Sequence, residues 1–161
     1  MKILIINIAL RPGSEKVMFP IGLGYVATAI ERAGFDFDIY DLDALRPTEK
    51  QLEKEIEERD FDVVCLGCMV TGYRHVKKLA EIIKKHKKDA VIIAGNSVAS
   101  SIPETLLKRT KVDIGVIGEG DVTIVELLKA IENKTQLEDI KGIFFLKNGE
   151  VVFTKPREII M

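Results

Sequence analysis

The chain has 161 residues, 47% of them apolar and 30% charged, a length and balance that suit one globular domain with its own core. A formal net charge of −1 gives no bulk attraction for nucleic acid, and no apolar run approaches the roughly 20 residues of a membrane helix. Two cysteines make no disulfide framework, and the short apolar start lacks a signal-peptide cleavage site, so a soluble protein in a reducing, cytoplasmic setting is expected.

Apolar runs of strand length alternate with helical patterns. Residues 3–6 are wholly apolar, as in a strand buried on both faces. Leu23, Val26, Ala27 and Ile30 recur at helical spacing, and Gly34 follows as a stop. Residues 35–40 alternate with Asp36 and Asp38 and read as a second strand. Thr48-Glu49-Lys50-Gln51 is a capping box that opens a charged helix reaching about residue 59. Residues 61–66 form the third strand, and Val76, Leu79, Ala80 and Ile83 mark a helix ending in the basic run 84–88. Residues 90–94 are the fourth strand, and Ser101-Ile102-Pro103-Glu104 opens another helix. Residues 112–117 are the fifth strand, and Ile124, Leu127, Leu128 and Ile131 mark the fifth helix.

Five such repeats favour an α/β fold, a doubly wound parallel sheet with right-handed crossovers. The flavodoxin-like order 2-1-3-4-5 is expected, which puts ligands at the loops after Asn7 and Leu66, on either side of the switch point. Asn148-Gly149, between apolar residues 143–147 and 150–154, predicts a β-hairpin with a type I′ turn. The organisation is then a domain over residues 1–141, a hairpin over 142–154 packed on it, and a linker or tail over 155–161. The hairpin is apolar on both sides, so one face is expected on this domain and the other against a partner.

Four loops leave the strand ends: 8–24, 67–73, 95–100 and 118–121, the first including Arg11-Pro12-Gly13. Each carries glycine or small polar residues where a backbone must approach something closely, which suggests one large ligand with many polar contacts. Cys65-Leu66-Gly67-Cys68 has redox spacing but sits on a strand end; a core Cys65 and a loop-lining Cys68 are expected. His86 reads as a solvated helix end, and His75 as a helix-start surface residue beside the crevice. Asp121 reads as the cap of the fifth helix. A phospho-acceptor receiver is disfavoured by Asn7 and Ile8 where paired carboxylates would stand, and no Walker motif is present.

The ordered set Ile3-Leu4-Ile5-Ile6-Asn7, Pro20-Ile21-Gly22-Leu23-Gly24-Tyr25, Asp62 through Tyr73, Ile92 through Ser97, Pro103-Glu104, Asp113 through Gly120 and Ile140 through Ile143 resembles the cobalamin-binding domain that precedes the barrel of cobalamin-dependent radical SAM enzymes. Many cobalamin domains carry Asp-x-His-x-x-Gly after the first strand, whose histidine ligates cobalt; here Asn7-Ile8-Ala9 stands there, as fits the radical SAM branch. Ser-x-Leu is replaced by Gly67-Cys68-Met69, and Gly-Gly-Pro-His by Ala94-Gly95-Asn96-Ser97.

The resemblance implies cobalamin as cofactor, held histidine-off with no protein metal ligand. It implies an apolar floor from Ile8, Ala9, Leu10, Met69 and Val70, rim hydrogen bonds from Thr71, Asn96, Ser97 and loop backbone groups, and further cofactor contacts at Cys68 and Glu119. Room for the nucleotide tail would come from glycines such as Gly95, Gly118 and Gly120, and Gly22 and Gly24 are also expected at the cofactor. It also implies a radical SAM catalytic domain as partner, in cis or trans, and methyl transfer or rearrangement at an unactivated carbon. No three-cysteine cluster motif exists here, so this chain supplies neither the iron–sulfur cluster nor catalytic residues, and no nucleic-acid or membrane partner is expected. The competing reading is a non-enzymatic interaction or sensor domain that kept the fold and lost the cofactor.

Overall fold

The computed structural model describes residues 1–11, 13–15 and 17–158. Among these, the strands β1 (Ile3–Asn7), β2 (Phe37–Asp41), β3 (Val63–Gly67), β4 (Val91–Gly95), β5 (Ile114–Val116), β6 (Ile143–Lys147) and β7 (Glu150–Phe153) form one sheet in the order β2-β1-β3-β4-β5-β6-β7. The first five are parallel, in the flavodoxin-like order expected from the repeats.

The hairpin differs from the expectation of a ribbon laid on the domain. β6 pairs antiparallel with β5, so the hairpin continues the sheet edge. That resolves its double-sided apolar pattern, because Phe144 is buried on one face of the sheet and Ile143 and Phe145 on the other. The turn has positive φ at both Asn148 and Gly149, as a type I′ turn requires. Gly115 sits opposite Phe144 in the register, and a Cβ on it would lie 1.9 Å from the Phe144 ring. The glycine is therefore what lets the aromatic ring close that face.

The helices are α1 (Ile21–Arg32), α2 (Leu42–Leu45), α3 (Glu49–Glu58), α4 (Tyr73–His86), α5 (Ser97–Ser101), α6 (Pro103–Arg109) and α7 (Asp121–Asn133). α1 and α7 cover the face carrying Ile3, Ile5, Cys65, Ile93 and Val116; α3, α4 and α6 cover the face carrying Leu4, Ile6, Val64, Leu66 and Ile92. Both faces of the central strands are thus buried, which is why these strands read as unbroken apolar runs. Thr48 and Gln51 close the capping box of α3 reciprocally. α2 gives no periodic signal; it forms because Asp41 accepts the backbone N–H groups of Asp43 and Ala44 at 3.0 and 3.1 Å. No helix among the described residues is long and apolar enough to cross a membrane.

Candidate functional site

The parallel register lines up Asp41, Asn7, Gly67 and Gly95 in one row where β2, β1, β3 and β4 end. Two glycines in that row lower the sheet's rim at its centre. A Cβ built on Gly95 meets no atom within 4 Å, and one on Gly67 meets only the Asn96 Cβ at 3.9 Å. Beneath the rim a cavity of about 320 Å³ runs between the sheet and the α1/α7 pair. Its walls include Gly22, Leu23 and Val26 of α1, Cys65, Ile93 and Val116 of the sheet, and Ile124 of α7. Gly118, Glu119 and Gly120 close its far side, and the positive φ of Gly118 makes the turn there.

Of the residues singled out in the sequence, the cavity brings together Gly22, Gly95, Asn96, Gly118, Glu119 and Gly120. Met69, Val70 and Thr71 are exposed on the lip beside it, in and before a 3-10 turn over Val70–Gly72, with Met69 46% accessible. Ser97 fixes that lip to the loop after β4: its Oγ accepts the Val70 N–H at 2.9 Å, while the Asn96 Oδ1 accepts the Ser97 N–H at 2.6 Å. Asn96 does this at φ 65° and ψ −165°, a conformation that is essentially a glycine's.

Other expectations are corrected. Cys68 does not face the crevice: it is 2% exposed and turned into the core, under Gly72 and in the same cluster as Leu10. Burial pushes its thiol up to about 11 and that of Cys65 up to about 12, so neither thiolate forms near neutrality. Ile8 is likewise buried, and Ala9 and Leu10 are half-buried, so this stretch underlies the lip rather than surfacing it. Gly24 lies in the first turn of α1 rather than in a loop, because Pro20 starts the helix early. Asp121 is the first residue of α7 and makes no side-chain cap, which falls to the Gly120 backbone. His75 is exposed on α4, as expected of a surface residue there, whereas His86 is half-buried rather than fully solvated, its Nε2 3.8 Å from a Glu53 oxygen. Pro12 and residues 159–161 lie outside the described residues.

Two features escaped sequence reasoning. One is a run of exposed apolar residues flanking the cavity-lining Pro20: Val17, Met18, Phe19 and Ile21, the last 78% accessible. They precede or open α1, where no periodicity marks them. The other is a polar network under that segment, made by Asn7, Asp41 and Asp43, whose partners lie 11 to 34 residues apart in the chain.

The arrangement suits a broad ligand with an apolar face and a polar rim. It offers an exposed apolar lip, unfilled space over glycines, a slot down one sheet face, and the Asn96, Thr71 and loop backbone groups as hydrogen-bonding partners. A model of the B12 binding domain family matches residues 13–128. The chain is 28% identical over 142 residues to an uncharacterized methyltransferase of Pyrococcus horikoshii, covering 88% of this chain and 31% of that protein. It is 26% identical over 146 residues to a cobalamin-dependent radical SAM methyltransferase of Streptomyces tokunonensis, covering 86% of this chain and 21% of the relative. In fold it matches a radical S-adenosylmethionine methyltransferase of Kitasatospora setae, solved with cobalamin and a 4Fe–4S cluster, at a TM-score of 0.83 and 22% identity over 99% of this chain and 30% of the other. The chain therefore spans less than a third of the length of these relatives.

Proposed function

We propose, since this chain belongs to the B12 binding domain family, that it is the cobalamin-holding module of a radical SAM enzyme and holds its cofactor histidine-off. The observation that carries the reading is the row of Gly67 and Gly95 above an open slot, flanked by the exposed Met69 and Val70. A corrin needs an apolar bed, hydrogen-bond partners around its rim, and room for its nucleotide tail, and these residues match that need. Bound cobalamin supplies methyl-group exchange at its cobalt.

This chain's own part is to bind and orient. Met69 and Val70 present apolar surface that excludes water from one face of the ligand. Asn96 and Thr71 offer side-chain hydrogen bonds to rim amides. Gly22, Gly95, Gly118 and Gly120 leave the slot clear. No imidazole stands at Ile8 or Ala9, so that loop would offer no histidine to a bound cobalamin. We assign methyl transfer to, or rearrangement at, an unactivated carbon to a radical SAM catalytic domain acting in cis or trans. The two free, buried cysteines suit a cytoplasmic protein.

Hydroxocobalamin is titrated into the purified chain, followed by desalting and visible spectroscopy. A retained corrin with a base-off spectrum supports the proposal. A cofactor that washes off after incubation at high micromolar concentration refutes it, and a spectrum with nitrogen ligation that is lost in His75→Ala refutes the histidine-off form.

A further inference from the structure

We infer that Asn7 and Asp43 are positioning residues for the cofactor, latching the segment before α1 into the wall of the cobalamin site; the inference rests on the function proposed above. Asn7 is the last residue of β1 and is 1% exposed. Its Nδ2 donates to the Met18 carbonyl at 3.2 Å and to Asp41 Oδ1 at 2.9 Å, so both amide hydrogens are used. Asp43 is 7% exposed, and its Oδ2 accepts the Met18 N–H at 2.9 Å. The peptide groups on both sides of the Met18 Cα are therefore held by side chains, in a segment whose described residues join no strand. Met18 itself is largely exposed, so its burial does not hold it there.

What the latch holds is the cavity mouth. Two residues beyond Met18, Pro20 caps α1 and lines the cavity, and Gly22 follows on the same wall. Met18 and Phe19 are exposed, and the Phe19 ring lies 4.0 Å from where a Cβ on Gly24 of α1 would stand. A shift at Met18 therefore moves the first turn of α1 and the apolar surface offered to a ligand. The network also explains which residue stands at position 7. Asp41 already accepts from Asp43, Ala44 and Asn7. An aspartate at position 7 could donate to neither Asp41 nor Met18 and would set two carboxylates side by side. An amide at position 7 thus meets both needs of this loop.

The test uses the whole chain and three readouts: hydroxocobalamin affinity and dissociation rate, thermal midpoint, and hydrogen exchange of the Met18 amide without cofactor. In Asp43→Ala, Met18 exchange protection is expected to disappear and cobalamin dissociation to speed by roughly tenfold or more, since a hydrogen bond to a charged group is lost. Asp43→Asn keeps an acceptor oxygen and is expected to recover most of both. Asn7→Asp is expected to weaken binding more than Asn7→Ala, and N7D combined with D41N to recover part of the loss. A fall in thermal midpoint with unchanged cobalamin affinity and dissociation in every variant overturns the positioning role. Absence of Met18 protection in the wild type overturns the latch, and does so even if no cobalamin binds. Failure of the wild type to bind cobalamin with Met18 protected counts against the proposed function and removes the cofactor role inferred here.

Discussion

Placing a side chain at Gly95 separates the site from the scaffold. The residue ends β4, its φ is unexceptional, and a Cβ on it has no neighbour within 4 Å, so the side chain of Gly95→Val starts into open space at the cavity wall. Stability should therefore move by no more than about 0.5 kcal/mol, the range of substitutions that strain nothing. A ligand filling the slot meets the two added methyl groups instead. Overpacking a filled site costs about 1–3 kcal/mol, which corresponds to a roughly five- to hundredfold weaker cobalamin affinity. Urea denaturation read beside an absorbance titration with hydroxocobalamin measures both. An unchanged affinity would show that the slot is not where the cofactor sits. A stability loss above about 1 kcal/mol would show that the space over Gly95 is not open.

Gly115→Ala should cost about 3 kcal/mol or more in urea unfolding, because its Cβ would overlap the buried Phe144 ring, and Phe144→Leu in the same chain should return part of that loss. Asn96→Gly should raise stability by about 1 kcal/mol by removing a side chain from a glycine conformation, and a lower thermal midpoint would contradict the strain. The Cys65 thiol titrates at about 9 when unfolded and is pushed up to about 12 by burial in the fold, so above pH 9 the unfolded chain holds fewer protons. Stability is then unaffected below pH 9 and falls above it by up to about 1.4 kcal/mol per pH unit from this thiol. Cys65→Ala should flatten that slope in denaturation curves taken between pH 8.5 and 10.5, and an identical slope would refute the assignment.

The sheet was legible because its evidence is local. Each central strand is an apolar run, each crossover helix has its own stripe, and Asn148-Gly149 names its turn. The hairpin's destination was not legible, since apolar residues on both faces fit either a covering ribbon or a sheet edge. Only the opening left by Gly115 decides it. The glycines at Gly95, Gly118 and Gly120 marked the cavity because a cleared backbone leaves a compositional trace. Cys68 misled because it lies one residue beyond β3, where alternation no longer tells which way a side chain turns. The latch left no trace at all: Asn7, Met18, Asp41 and Asp43 are ordinary residues until the fold brings them together.

β1 is the first strand in the chain and the second in the sheet, hydrogen-bonded on both sides. Its apolar residues 3–6 gain their second neighbour only when β3 has joined, and the face above Gly115 closes only when Phe144 arrives. Growth of the nascent chain therefore runs out of step with growth of the sheet. β1 waits through some sixty residues of synthesis for β3, several seconds at about 5–20 residues per second. The capped, charged helix α3 falls inside that wait.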